Sequence, residues 1–162
     1  MPSAIYLASN SPRRRDLLRQ MGVRFEVLLF RAGQRADGDV DETPLPGEDP
    51  ETYVQRVAAA KAAGGIERVL LRALPRKPVL SADTTLAVDG EIIGKPADAR
   101  DAMDILHRLS AREHRVLTSV AVTDGERTEL ALSSSRVRFG ALTDEAIRRY
   151  VATGEPMDKA GA

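Results

Sequence analysis

The stretch PVLSADTTLAVDGEIIG, residues 78–94, decides the fold class. Residues 78–82 predict a buried strand, because this run, which begins with Pro78, is mostly apolar. The residues that follow predict a hairpin with Asp89-Gly90 as its turn, since this dipeptide favours a tight turn with positive φ. A hairpin needs an antiparallel strand pair, and helical segments are interspersed with strands elsewhere in the chain. The sequence therefore predicts an α/β fold with a mixed sheet.

Further helices and strands are predicted on both sides of this stretch. Residues 4–8 predict a short strand. A helix is predicted to follow it, with Ser11 as its N-cap and Gly22 as its stop. The other predicted elements are a strand start in 24–30, a loop at 31–49, a helix from 50 to about 63 that ends at Gly64-Gly65, a helix from Asp98, strands at 114–123 and 127–139, and a helix from Thr143 to near Gly154. Residues 156–162 read as the approach to another strand, so we expect one domain over residues 1–162 that lacks its C-terminal segment.

Composition restricts the chemistry that the chain can perform. The 162 residues include 24 basic and 24 acidic side chains, and this balance gives no support to nucleic-acid binding through bulk charge. Because cysteine is absent, disulfides, thiolate catalysis and cysteine-bound zinc are excluded. The N-terminus does not resemble a secretory signal, and no apolar run reaches the length of a membrane span. We therefore expect a cytoplasmic protein with no membrane partner.

The segment SNSPRRR, residues 9–15, places three arginines in the first turn of a helix. Cations are unfavourable there, because a helix N-terminus already carries partial positive charge. Screening by solvent makes the cost small, so the arginines are compatible with an ordinary exposed helix start. The alternative is that an anion binds there, held by backbone N–H groups, the Ser9 and Ser11 hydroxyls and the guanidinium groups.

Charged residues at four other places extend this alternative. Asp83 follows a buried strand, and we expect it at the carboxyl end of that strand, where α/β sheets bind ligands. Lys61 is predicted on the core side of its helix, Lys95 lies in IIGKP, and Glu42 lies beside Asp41 in an acidic loop. Taken singly, each has an ordinary structural explanation as a capping or solvated residue. Taken together, carboxylates without cysteine suit Mg²⁺, and arginine with lysine suits a polyphosphate.

Four segments resemble, in order, the motifs of the Maf family of nucleoside triphosphate pyrophosphatases, whose members were first named as septum-formation inhibitors. The segments are LASNSPRRRDLL, YVQRVAAAKA, LSADTTLAVDGEIIGKP and YVATGEPMDKAGA. The resemblance implies an elongated mixed β-sheet flanked by helices, with two lobes and a central cleft, similar to the inosine triphosphate pyrophosphatases. It also implies a metal-dependent hydrolase that converts a nucleoside triphosphate to the monophosphate and pyrophosphate.

The resemblance assigns roles to residues at matching positions. Asp83 corresponds to the catalytic proton acceptor, and Glu42 to an acidic loop residue. Together they would bind the divalent metal, Mg²⁺ or Mn²⁺. The remaining site residues would bind the substrate, and they are Ser9, Arg13, Arg14, Lys61, Thr84 and Lys95. The segment from Phe25 to Asp41 is longer than the family pattern, so the position of Glu42 depends on where the insertion lies.

SADTT and EPMDKAGA are similar to the branch of the family that prefers dTTP and UTP. A pyrophosphatase for 7-methyl-GTP or ITP, and a nucleotide-binding regulator of septation without catalytic activity, are the alternatives. The expected partner is the nucleoside triphosphate itself. A homodimer is compatible with a small enzyme of this kind.

Overall fold

The computed structural model describes residues 4–29 and 40–162. Strands and helices are interspersed along these residues, as the sequence predicts for an α/β fold. In chain order they are β1 (Ile5–Leu7), α1 (Pro12–Gln20), β2 (Phe25–Val27), α2 (Pro50–Leu71), β3 (Val79–Val88), β4 (Glu91–Ile93), α3 (Ala99–Leu109), β5 (Glu113–Thr123), β6 (Thr128–Arg138), α4 (Asp144–Ala152) and a short 3₁₀ helix (Glu155–Asp158).

The strands form one open sheet in the order β2-β1-β3-β5-β6, and β4 pairs with β3. β1 runs parallel to both β2 and β3, with Tyr6 opposite Glu26 on one side and Val79 on the other. β3 and β4 are antiparallel, with Val88 opposite Glu91. The sheet is therefore mixed, and the predicted fold class is confirmed.

The predicted hairpin is confirmed, but Asp83 does not lie at a strand end. Asp89 and Gly90 form the turn with φ of 52° and 78°, the positive values that a two-residue hairpin turn requires. β3 is ten residues long, and Asp83 is in its middle. The position predicted for Asp83 was wrong because the apolar run and the first hairpin strand are one continuous strand. The carboxylate therefore projects from a face of the sheet.

Helix α2 corrects a second prediction. It was expected to end at Gly64-Gly65, yet it continues to Leu71. A Cβ atom on Gly65 would lie 2.6 Å from Val79 Cγ1 and 3.2 Å from Ala8 Cβ. Gly65 therefore lets the helix approach the sheet closely, which is a packing role and not a stop signal.

The caps of the other helices follow the sequence prediction. Ser11 is the N-cap of α1 with Pro12 in the first turn, and Gly22 follows the helix with φ of 71°. The side chain of Asp98 accepts a hydrogen bond from the backbone N–H of Asp101 at the start of α3. Thr143 caps α4 in the same way.

The ends of the described segments differ in part from expectation. The described portion of the predicted loop, residues 40–49, contains no helix or strand, and the rest of that loop, like Phe30, lies outside the described residues. Residues 156–162 form the 3₁₀ helix and a turn where a strand approach was predicted. A Cβ on Gly161 would lie 2.3 Å from Leu86 Cδ1, so this turn packs directly on β3. Within 4–29 and 40–162, none of the helices combines the length and apolar character of a bilayer-crossing segment.

The chain divides into two compact units, and each has its own core. The first comprises Met1–Thr43, Gln55–Asp83 and Ser119–Leu132, and the second comprises Pro44–Val54, Thr84–Thr118 and Ser133–Ala162. The core of the first unit includes Tyr6, Ala8, Leu28, Val69 and Val79, and alanines at 58, 62 and 121 form a second small cluster. The core of the second unit includes Leu86, Val88, Ile93, Ile105 and Leu109.

Candidate active site

A lysine between two carboxylates forms the centre of the charged site in the first unit. Lys61 Nζ lies 2.8 Å from Asp83 Oδ1 and 3.0 Å from Glu42 Oε1. The side chains of Lys61 and Asp83 are 18% and 9% exposed, whereas that of Glu42 is 53% exposed. The inner ion pair is thus largely withdrawn from water, so its charges are screened less than those of a surface pair.

The packing of α2 against β3 brings Lys61 and Asp83 together. Ala58 and Ala62 on the helix are fully buried, and these small side chains allow a close approach to the sheet. Ser81, which the sequence analysis did not single out, donates a hydrogen bond from its buried hydroxyl to the Ala58 carbonyl at 2.6 Å. Because alternate residues of a strand share a face, Ser81 and Asp83 point to the same side of β3.

The turn before α1 organises the serine and arginine side chains. Ser9 is buried, and its Oγ accepts hydrogen bonds from the backbone N–H of Ser11 and from Arg14 Nη1, both at 3.2 Å. Within the described residues, the Ser11 hydroxyl makes no capping hydrogen bond. Pro12 occupies the first turn and α1 has no acidic residue there to offset the dipole. This turn therefore presents an arginine held by a buried serine at a helix N-terminus.

Electrostatics couples this turn to the lysine–carboxylate group. Burial lowers the pKa of Arg14, the Asp83 and Glu42 carboxylates raise it, and the neighbouring Arg13 lowers it. Arginine nevertheless remains charged at neutral pH because its ordinary pKa is so high. The cations Arg13, Arg14 and Lys61 thus outnumber the two carboxylates by one. This excess of positive charge favours an anionic ligand.

Thr84 and Lys95, which were predicted to bind the substrate, belong to the second unit. Thr84 Oγ1 lies 3.0 Å from Thr118 Oγ1, and its side chain projects from the opposite face of β3 to that of Asp83. Lys95 lines a cavity of about 340 Å³ with Arg108 and the carboxylates of Asp101 and Asp104. Their roles toward a nucleotide stay predictions.

The carboxylates fit the chemistry of a hard divalent cation. Asp83 and Glu42 already converge on one cationic atom, Lys61 Nζ. Mg²⁺ commonly takes one or two carboxylates from the protein and its other ligands from water and substrate phosphates. In the part of the chain that the structure describes, no three histidine or acidic residues cluster as a metal cage. This donor set therefore suits a metal that arrives with a polyphosphate.

The two histidines occupy different environments. His114 is buried, its ring packs edge-on against Phe139 with centroids 4.8 Å apart, and burial lowers its pKa. His107 is partly exposed, and its Nε2 lies 3.7 Å from Asp144 Oδ1. His114 thus lies in a packing contact, and His107 in a surface contact.

These features define a class: an α/β protein with a mixed sheet and a compact charged site of serine, arginine, lysine and carboxylate groups. The model of the family described as Maf-like protein matches residues 4–162, and the chain belongs to the Maf family.

Curated relatives match almost the whole chain. A protein of Aromatoleum aromaticum named dTTP/UTP pyrophosphatase is 64% identical over 159 residues, covering 98% of this chain and 77% of the relative. Proteins with the same name from Dechloromonas aromatica and Ralstonia nicotianae are 61% and 55% identical; each match covers 98% of this chain, and 79% and 76% of the respective relative. The chain is thus similar to relatives that share one name.

Proposed function

We propose that the protein hydrolyses dTTP and UTP to the nucleoside monophosphate and pyrophosphate. The observation that carries the proposal is the largely buried Lys61–Asp83 pair beside an arginine-bearing helix start, in a chain that is 64% identical to a dTTP/UTP pyrophosphatase. Such a set offers both a proton acceptor and donors for phosphate oxygens. We further propose the cytoplasm, where nucleotide pools are maintained, as its location.

Asp83 is the proton acceptor in this proposal. Its carboxylate orients a water molecule and takes its proton while the water oxygen forms a bond to the α-phosphorus. The bond between the α-phosphorus and the bridging oxygen breaks, and its electron pair leaves with pyrophosphate. A buried carboxylate on a rigid strand can hold this water in one orientation, which lowers the entropic cost of the attack.

Cationic side chains stabilise the charge that develops on the phosphates. An ammonium group has three N–H donors, and in the described structure two of those of Lys61 are directed to Asp83 and Glu42. The third can bind a phosphate oxygen. Arg13, Arg14 and the N–H groups at the start of α1 bind the departing pyrophosphate, and Lys95 adds a further cation.

Asp83 and Glu42 would hold Mg²⁺ or Mn²⁺, which would neutralise charge on the triphosphate when bound. Base selection is proposed at Arg13 and Thr84, the positions that resemble the dTTP- and UTP-preferring branch. A site that hydrogen-bonds the O4 edge of uracil or thymine rejects CTP, because cytosine has a donor at that position.

The proposal is tested by a panel of triphosphates with the purified protein under Mg²⁺ and under Mn²⁺. The panel contains dTTP, UTP, CTP, GTP, 7-methyl-GTP and ITP, with monophosphate and pyrophosphate as measured products. We expect dTTP and UTP to have the highest kcat/KM, within about tenfold of each other, because one methyl group contributes only about 1 kcal/mol. Preference for 7-methyl-GTP or ITP would refute the substrate assignment. Tight nucleotide binding without turnover would indicate a regulator instead.

A further inference from the structure

Ser81 makes a directional contact between the two elements that carry the Lys61–Asp83 pair. Its side chain is fully buried, and its Oγ donates to the Ala58 carbonyl oxygen at 2.6 Å. That carbonyl also accepts the helical hydrogen bond from residue 62, which a carbonyl oxygen with two lone pairs allows. The Ser81 hydroxyl therefore ties β3 to α2 without disrupting the helix.

The Ser81–Ala58 contact lies close to the Lys61–Asp83 pair on both elements. Ser81 precedes Asp83 by two residues on one face of β3, and Ala58 precedes Lys61 by one turn of α2. Apart from the Lys61–Asp83 pair itself, the contacts beside it include apolar ones, among the alanines at 58, 62 and 121 and at Gly65 against Val79. Apolar contacts are not directional and tolerate a slide of the helix along the strand. A hydrogen bond does not tolerate such a slide, because it weakens steeply when its angle changes.

We propose that Ser81 is a positioning residue for the reaction: it fixes the register of α2 on β3 so that Lys61 Nζ stays within hydrogen-bond distance of Asp83. This inference rests on the proposed function for its effect on catalysis, but its structural part does not. Without the hydroxyl, the alanine contacts remain and the fold persists, while the lysine and the carboxylate lose their fixed separation. The loss falls on turnover, because a pair that is only loosely held is misaligned in the transition state.

The chain offers a matched control for the first experiment. Ser119 is also a fully buried serine of the same unit, but in the described structure its Oγ has no hydrogen-bond partner. Ser81→Ala should lower kcat for dTTP by about tenfold with KM changed by less than about twofold, and Ser119→Ala should leave both within about twofold. Equal losses in the two variants, or an effect of Ser81→Ala confined to KM, would overturn the proposal.

An isosteric pair separates the hydroxyl from its volume. Ser81→Thr and Ser81→Val introduce the same crowding and differ only in the hydroxyl. We expect the threonine variant to exceed the valine variant in kcat by about tenfold, because threonine restores the hydrogen bond. Equal kcat values for the threonine and valine variants would refute the positioning role of Ser81, even if Ser81→Ala proved unstable.

A structural measurement makes the inference independent of activity. In a crystal structure of Ser81→Val, the distance from Lys61 Nζ to Asp83 Oδ1 should leave hydrogen-bond range, whereas Ser81→Thr should retain the 2.8 Å contact. An unchanged pair in the valine variant would refute the positioning role. Inactivity of the wild type on all triphosphates would instead refute the proposed function, and the crystallographic comparison would still decide the role of Ser81.

Discussion

Alanine at Gly65 should destabilise the protein, whereas alanine at the adjacent Gly64 should not. Both glycines lie inside α2, where replacing glycine by alanine contributes about 1 kcal/mol of helix stability. At Gly65, however, the new Cβ would lie 2.6 Å from Val79 Cγ1 and 3.2 Å from Ala8 Cβ. Carbon atoms normally approach to about 3.5–4.0 Å, so the helix would have to move outward by roughly 1 Å.

The two effects can be compared in magnitude. Crowding of this kind costs about 1–3 kcal/mol, so Gly65→Ala should be destabilising by up to about 2 kcal/mol after the helix gain is subtracted. At Gly64 the nearest atoms are Arg68 Nη1 at 3.4 Å and Val40 Cγ2 at 3.8 Å, and the former ends a flexible side chain. Gly64→Ala should therefore be neutral or stabilising by up to about 1 kcal/mol. The two variants should differ by about 1–3 kcal/mol.

Urea unfolding of the wild type and the two variants measures this difference. The midpoint should fall for Gly65→Ala and stay level or rise for Gly64→Ala, with a common slope, since the surface exposed on unfolding is the same. In thermal unfolding, each kcal/mol corresponds to about 2–4 °C for a chain of this size. If Gly65→Ala proved as stable as Gly64→Ala, the close approach of α2 to β3 at Gly65 would be wrong, and with it the basis for the position of Lys61.

Other predictions concern side chains of the two units. Arg14→Ala should lower kcat/KM for dTTP by about tenfold to a thousandfold, because it removes a charge-assisted contact. In the same assay, kcat/KM of His107→Ala should stay within about twofold of the wild-type value. A larger loss for His107→Ala than for Arg14→Ala would contradict the assignment of Arg14 to the active site. Burial lowers the pKa of His114 from its ordinary value near 6.5, so the unfolded chain binds a proton that the folded chain does not as pH falls below that value. The stability of the folded protein should therefore decline from about pH 6.5 down to the lowered pKa. Urea midpoints measured at pH 7.5 and 5.5 should show a smaller decline for His114→Gln than for the wild type. Equal declines in the two proteins would exclude His114 as the source. Lys95→Ala should lower kcat/KM by about tenfold or more, and unchanged kinetics would remove Lys95 from the site.

The sequence predicted the elements of the fold well where local signals dominate. The Asp89-Gly90 turn, the Asp98 and Thr143 caps and the Ser11-Pro12 helix start depend on backbone geometry within a few residues, and each lies where predicted. Gly65 shows the limit of such signals. A glycine can end a helix or permit close packing, and only the position of Val79 in the folded chain distinguishes the two.

The site was predicted less completely for a related reason. Charged residues such as Asp83 and Lys61 are conspicuous in a sequence, and the structure places this pair in contact. Ser81 gives no such signal, because a serine in a strand looks like any small residue until its partner, the Ala58 carbonyl 23 residues away, is known. Asp83 was expected at a strand end because the sequence alone does not show which residues of β3 pair with β4. This pairing extends β3 beyond Asp83.

The central claim is that Asp83 activates water for attack on the α-phosphorus. Hydrolysis of dTTP in ¹⁸O-labelled water, with products resolved by ³¹P NMR and mass spectrometry, tests it directly. The wild type should place the label in the monophosphate and none in pyrophosphate, and Asp83→Asn should keep the wild-type fold while its kcat falls by at least about a thousandfold. Label in pyrophosphate, or turnover by Asp83→Asn close to that of the wild type, would contradict the account.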